Sequence, residues 1–251
     1  MTIIQSFAGA QHRRRAVAKP QFEGWVTDVI GSGLERSPLD GRPSPQVFLV
    51  EQPPGWELQT HFHLHHQFQV VLRGSGSLGR HAVEPLAVHY ASPHSGYGPL
   101  VAGSEGLDYL TLRLVGDTGA WYLPDAREHL AVRIPKQQLH ASPAADPPEN
   151  LALLRHPVQE VLIAPDDTGL AAWLVRLPAG APCEERDDAR IDAGRFYVLT
   201  RGSLHIQNDL LEGPAVIYVG ASEVLPIASG SRGAEMLVLQ FPQAALYPLP
   251  T

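Results

Sequence analysis

The sequence has only one cysteine, Cys183, among its 251 residues. A lone cysteine cannot form an internal disulfide bond, and this fits a reducing cytoplasm. No uninterrupted stretch approaches the roughly 18 apolar residues that a membrane-spanning helix requires. The first twenty residues also lack the apolar core of a signal peptide. We therefore expect a cytoplasmic protein that makes no membrane contact.

Positive charge is also scarce. The formal net charge is -7, which argues against a nucleic-acid partner held through phosphate contacts. The basic cluster of Arg13, Arg14 and Arg15 is short, and we interpret it as a solvated N-terminal arm. Hydrophobic residues make up 44% of the chain and charged residues 18%, so the chain can bury a core as one large or two small domains.

Glycine and proline, 23 of each, are spread along the whole chain and separate short apolar runs. This spacing is typical of many short strands joined by tight turns, and it predicts an all-β fold. The clearest helical candidate is residues 124–130, which begins with proline and an acidic residue but is only about two turns long. The predicted strands are residues 46–50, 69–73, 107–115, 170–177, 196–200, 215–220 and 235–241.

The sequence is duplicated. FQVVLRGS at residues 68–75 matches FYVLTRGS at residues 196–203, and EPLAVHYAS at 84–92 faces EGPAVIYVG at 212–220. With an offset that is one residue shorter, residues 108–114 align with residues 235–241. Three segments in one order, in only two copies, indicate two small β domains rather than a solenoid. We place the domains at residues 1–120 and 161–251, with a connector that carries the short helix at 121–160.

Four histidines lie within six positions, at 61, 63, 65 and 66. Gly55 precedes His61-x-His63 by five residues, Gln67 follows after three more, and Gly74 follows after a further six. This spacing resembles the first motif of the cupins, in which a glutamate stands where this chain has Gln67. With the duplication, the resemblance implies a bicupin, with two double-stranded β-helix (jelly-roll) barrels in one chain.

A metal site is the first interpretation of the histidines. Alternate residues of a strand face one side, so His61 and His63 can converge with Gln67 across a hairpin on one ion. Three protein ligands would leave positions open for substrate. The second cupin motif places its histidine slot on Gly98 here, and His94 is a further candidate ligand. The resemblance thus implies one divalent ion (Fe, Mn, Zn or Ni) in the N-terminal barrel.

Gln67 leaves two alternatives open. Its amide carbonyl is a neutral and weaker donor than a carboxylate, so Gln67 either binds the metal or serves only as a hydrogen-bonding group in a metal-free site. Candidate substrate-binding residues are Gln69, which would face the interior, Tyr97 at the barrel mouth, and Tyr109 and Arg113, which share one face of their strand. Arg113 is costly inside the barrel unless an acid or an anionic substrate pairs with it.

The C-terminal copy keeps the glycine frame but lacks the histidines, and Arg195 stands in its acidic slot. We interpret it as a degenerate barrel with a packing role. The resemblance implies a metal-binding bicupin that acts on a small organic molecule with dioxygenase-like chemistry, or as a Lewis-acid isomerase or lyase. The alternative is a non-catalytic barrel that binds a sugar or organic acid, as a sensor would. Because cupins commonly dimerise, we expect a homodimer in which residues 1–22 reach across the interface.

Overall fold

Strands dominate the computed structural model, which describes residues 1–32, 42–116, 119–144, 148–184 and 193–247. These residues form one short α-helix, α1 (Phe7–Ala10), and 3-10 helices at Gln11–Arg13, Arg127–Ala131, Leu151–Leu153 and Gln243–Leu246. The strands are β1 (Thr2–Ser6), β2 (Arg14–Lys19), β3 (Phe22–Ile30), β4 (Gln46–Gln52), β5 (Glu57–Leu58), β6 (His61–Phe62), β7 (Gln67–Leu78), β8 (His81–Val83), β9 (Val88–Ala91), β10 (Leu100–Arg113), β11 (Trp121–Tyr122), β12 (Gln138–Ala141), β13 (Val158–Ile163), β14 (Ala171–Leu177), β15 (Arg195–Ile206), β16 (Asp209–Glu212), β17 (Ala215–Val219) and β18 (Ile227–Gln240).

The all-β prediction is confirmed, and each of the seven predicted runs overlaps one of these strands. The predicted helix at residues 124–130 is a turn followed by the 3-10 helix Arg127–Ala131. Two turns are too few for a stable isolated α-helix, and a short 3-10 segment is the usual outcome in a connection. In the described part of the chain, no helix is long and apolar enough to cross a membrane.

The chain divides into two compact units. One, which we call the N-terminal barrel, is His12–Ser142 with the residues from Ala244 onwards; the other, the C-terminal barrel, is Pro143–Gln243 with Met1–Gln11. This division differs from the predicted one, because β1 pairs with β17 and β12 pairs with β9. The first residues therefore complete a sheet of the C-terminal barrel.

The N-terminal barrel is built on a sheet with strand order β12-β9-β7-β10-β4-β3-β2, to which β5 and β8 add at β10 and β7. The long strands β7 and β10 pair along most of their length, with register shifts that bend them. At one bend Gly74 has φ +77°, and a Cβ there would lie 2.1 Å from the carbonyl oxygen of Gly106. Only glycine allows this approach of two backbones.

The C-terminal barrel repeats the plan with strand order β1-β17-β15-β18-β14-β13, and β16 pairs with β15. Here β15 and β18 are the long pair, and Gly202 (φ +81°) approaches the carbonyl oxygen of Gly233 as Gly74 approaches Gly106. An apolar core that includes Trp173 fills this barrel. Matching long strands and matching glycine contacts explain why the duplication is visible in the sequence.

Candidate functional site

The paired histidines lie where a short strand ends. His61 is in β6, and its backbone exchanges hydrogen bonds of 3.0 and 2.9 Å with Tyr97. The rings of His61 and His63 are nearly perpendicular, with centroids 5.3 Å apart. Phe62 between them is fully buried and stacks on Trp121. The local strand geometry thus brings the two imidazoles together, as the sequence predicts.

Hydrogen bonds define the state of His61. Its Nδ1 lies 2.8 Å from the carbonyl oxygen of Gln59, which can only accept, so the ring proton is on Nδ1. Its Nε2 therefore accepts a hydrogen bond from the Tyr97 hydroxyl at 3.0 Å. Burial, with help from the neighbouring His63, lowers the pKa of His61 to about 3, so the ring is neutral at physiological pH.

Gln67 and Arg113 form the second part of this polar cluster. The Gln67 amide donates to the Tyr97 hydroxyl, while its Oε1 accepts from Nε and Nη2 of Arg113 at 3.2 and 2.9 Å. Nη2 of Arg113 also lies 3.1 Å from Nδ1 of His63. Arg113 is only 3% exposed, so of the two predicted orientations the structure shows the inward one.

The arrangement of donor atoms does not fit a resident divalent cation. Oε1 of Gln67 and Nδ1 of His63 both accept from Arg113, and Nε2 of His61 accepts from Tyr97. A guanidinium is permanently charged, and it would repel a metal ion that shared those two residues. Within the described ranges, no three His, Cys, Asp or Glu side chains are grouped so that they could hold a metal.

The side chain of His94, the further candidate ligand, lies apart from this cluster, although its backbone N–H donates to the carbonyl oxygen of His63 at 2.8 Å. Its Nδ1 bonds to the carbonyl oxygen of His129 at 2.9 Å, and its ring stacks on Phe62 with centroids 5.7 Å apart. Because Phe62 points away from the side of His61, His94 is on the far side of the strand. The His94 side chain therefore does not reach the predicted ligands. The conformation of its loop decides which way it points, and the sequence does not reveal that conformation.

Three other histidines form a group that the sequence did not reveal. His89 on β9 is directly opposite His140 on β12, and His140 stacks on His81 with ring centroids 4.7 Å apart. His81 and His89 lie on the consecutive strands β8 and β9, but His140 lies on β12, far along the chain, so only the register of the sheet shows that the three meet. They line a cleft of about 440 Å³ together with Arg80, Tyr97 and Gln138.

His89 is the buried member of this group, with 6% of its surface exposed. Neither of its ring nitrogens makes a well-formed hydrogen bond in the described structure, and the same is true of Nδ1 of His140. Backbone groups of Leu139 and Ala82 nevertheless lie close enough to raise the pKa of His89 and His140, respectively, against the effect of burial. Burial, with the neighbouring His140 and His81, lowers the pKa of His89 to about 3. The pKa of His140 is lowered for the same reason. Both rings are therefore neutral at physiological pH and can still gain hydrogen bonds.

The remaining predicted substrate residues lie close to this group. Gln69 and Tyr109 line a small internal cavity of about 20 Å³, and His89 and His140 belong to its wall as well as to that of the cleft. Burial raises the pKa of Tyr109, so its hydroxyl is a neutral donor. Tyr97 faces the cleft, and its ring lies 4.9 Å from that of His89. Tyr97 thus connects the His61 cluster to the cleft.

No protein-family model and no curated protein matches this sequence. Solved structures match it in shape. A proposed dioxygenase from Nostoc punctiforme has a TM-score of 0.61 at 14% identity, over 97% of this chain and 84% of that one. The pirin YhhW from Escherichia coli, in complex with nickel(II), has a TM-score of 0.58 at 12% identity, over 96% and 99% of the two chains.

An oxalate decarboxylase from Lactobacillus farciminis, in a formate complex, has a TM-score of 0.58 at 12% identity over 95% of this chain and 86% of that one. Identities this low carry information on the fold and none on the activity. They agree with the two sheets and with the duplicated long strands. The chain therefore has the cupin fold in two copies, that of a bicupin, as its sequence motif predicts.

Proposed function

We propose that the N-terminal barrel binds a small organic acid in the cleft lined by His81, His89 and His140, without a resident metal ion. The observation that carries this proposal is His89, which is buried at the cleft with two ring nitrogens that make no well-formed hydrogen bond. A buried polar group without a hydrogen bond costs about 1–3 kcal/mol. A ligand that supplies the missing partner recovers that cost, and this favours binding at this position.

The charge of the cleft selects an acid over a sugar. The titratable or charged groups that face or interact with His89 are His81, His140, Arg80, Tyr97, Tyr109 and His61. Among the described residues that line the cleft, none is acidic. A carboxylate would therefore meet only donors and positive or neutral groups, and Arg80 can bind it in the bidentate manner that guanidinium groups favour.

Binding of a carboxylate should be coupled to proton uptake only at acidic pH. Neutral imidazole offers one donor and one acceptor, whereas imidazolium offers two donors. A carboxylate accepts only, so it prefers the protonated ring of His89. Burial away from water lowers the pKa of the ring, and the negative charge of a bound anion would raise that pKa again. Because the pKa of the unliganded ring is about 3, protonation at pH 7 would cost about 5 kcal/mol, more than one hydrogen bond to a carboxylate returns. We therefore expect the neutral ring to donate one hydrogen bond at pH 7, and proton uptake only at distinctly acidic pH.

Calorimetric titration with malonate tests the proposal. Wild-type protein and the variants His89→Gln and His12→Gln are titrated with malonate at pH 7, with glucose as the neutral comparison. His12 is exposed, so its variant is the matched control. We expect His89→Gln to weaken malonate binding about tenfold or more, the loss of one charge-assisted hydrogen bond. Equal binding by His89→Gln, or binding of glucose instead, contradicts the proposal.

The metal-dependent function predicted from the sequence is a second candidate. One observation favours it: the Nδ1 bond of His61 to Gln59 leaves a buried Nε2 lone pair, which is the orientation that metal-binding histidines require. Metal binding would then require Tyr97 to move away from Nε2 of His61, and Arg113 to move away from Oε1 of Gln67 and Nδ1 of His63. Elemental analysis of protein purified without metal-affinity resin separates the candidates. Stoichiometric iron favours the dioxygenase-like reaction, and stoichiometric zinc or manganese favours the isomerase or lyase.

A further inference from the structure

An Arg–Gln pair occurs inside both barrels, with its two positions exchanged. In the N-terminal barrel Gln67 begins β7 and Arg113 ends β10, and they are hydrogen-bonded to each other. In the C-terminal barrel the equivalent first position is Arg195 on β15, and the equivalent second position is Gln240 on β18. These two are directly opposite in the register, with Nε of Arg195 2.8 Å from Oε1 of Gln240. The C-terminal barrel thus also holds an internal guanidinium.

The environment of Arg195 is incomplete. The residue is 5% exposed, and its Nη2 is buried with no hydrogen-bond partner. Across the residues that the structure describes, Arg195 makes no ion pair, and Gln240 is its hydrogen-bonding partner. By contrast Arg176, in the same barrel, has a buried ion pair with Glu235 at 2.9 Å. A buried charge without a counter-charge is costly, so Arg195 needs a partner of negative charge.

A small cavity lies next to Arg195. It has a volume of about 20 Å³, and its wall includes Gln159, Trp173 and Tyr197. Since about 10–15 Å³ of such volume is enough for one water, the cavity admits a group of only a few atoms. Glu184 also borders the cavity, but it is exposed to solvent and is not within ion-pairing distance of Arg195. Size and charge together favour a compact anion over a larger organic molecule.

We propose that the C-terminal barrel binds a small monovalent anion, such as a one-carbon carboxylate, against Nη2 of Arg195. The anion supplies to Arg195 the counter-charge that Glu235 supplies to Arg176. This gives the barrel that lacks the histidines a binding role of its own. It does not depend on the acid-binding function of the N-terminal barrel, because the residues involved belong to the C-terminal barrel alone.

Thermal unfolding in formate tests this site in solution. The melting temperature of wild type, Arg195→Gln, Glu184→Gln and Arg232→Gln is measured as sodium formate is raised. Arg232→Gln is the matched control, because it removes the same charge from an exposed position. At 100 times its dissociation constant, formate should raise the folded-to-unfolded ratio about 100-fold. Salt effects and binding elsewhere affect all variants alike, so the difference from Arg195→Gln reports on this site.

We expect formate to stabilise wild type and Arg232→Gln. It should stabilise Glu184→Gln at lower formate concentrations, because a nearby negative charge is gone. Its effect on Arg195→Gln should be smaller. Equal stabilisation of Arg195→Gln and wild type would overturn the proposal. Anomalous diffraction from wild-type crystals soaked in bromide gives a second readout that does not depend on how the variants fold. A bromide peak at Nη2 of Arg195 supports the site, and a water there in its place refutes it.

Discussion

Acidification should destabilise this protein through its buried histidines, and His89 gives the sharpest case. Its pKa is about 3 in the folded chain, against about 6.5 for an exposed histidine. Between these values the unfolded chain binds the proton and the folded chain does not, so stability falls as the pH falls below about 6.5. Integrated from pH 7 to pH 5, one such histidine removes about 2 kcal/mol from the free energy of unfolding.

His61 has the same direction of shift and adds a loss of similar size, so the two together should cost about 4 kcal/mol at pH 5. This is a large part of the 5–15 kcal/mol that is typical of a folded protein. Urea unfolding at pH 7, 6 and 5 measures the effect. In His89→Gln the loss between pH 7 and pH 5 should shrink by about 2 kcal/mol, while His12→Gln should follow wild type. A flat profile for wild type, or the same slope in His89→Gln, refutes the reasoning.

Other predictions address the fold, the metal and the assembly. Gly74→Ala and Gly202→Ala should each cost at least about 3 kcal/mol in urea unfolding, because their Cβ atoms would lie 2.1 and 2.0 Å from a carbonyl oxygen. Gly55→Ala, with φ +69° and no atom within 4 Å, should cost only about 1–2 kcal/mol, and equal losses would contradict this steric argument. Arg113→Gln should bind nickel more tightly than wild type in a calorimetric titration, and unchanged affinity would show that Arg113 does not oppose a metal. Light scattering should give about twice the 27.3 kDa of one chain for the expected homodimer, and a single-chain mass would rule it out.

Local patterns were sufficient to predict the strands and the paired histidines. Turn residues separate the apolar runs, and the alternation of a strand places His61 and His63 on one side of Phe62. The glycine spacing and the duplication then indicate two barrels of the cupin type. These signals are local, or they repeat within the chain, so they can be read without knowing which strands pair.

Pairing between distant strands is what the sequence could not provide. The partner of β1 is β17, more than 200 residues away, and no local feature of Thr2–Ser6 shows this. The direct opposition of His89 and His140 also depends on register, since a shift of one residue would turn one of them outward. For Arg113 the sequence left both orientations open, and the contact with Gln67 decides between them.

The duplication contains one further signal, which can be interpreted only when the pairing of the strands is known. Aligned copies place Arg195 at the position of Gln67, and Gln240 at the position of Arg113. Without the sheet register these are two unrelated substitutions. With it they are one cross-strand pair whose members have exchanged places, so the C-terminal copy keeps an internal guanidinium although it lacks the histidines.

The most direct test of the central claim is calorimetric titration of the wild-type protein with malonate before and after exhaustive treatment with a chelator, with the metal content of each sample quantified. A cleft that depends on His89 and its neighbouring groups should bind malonate with the same affinity in both samples, with far less than one metal ion per chain. Binding that disappears on chelation and returns with one equivalent of a divalent ion would contradict the account.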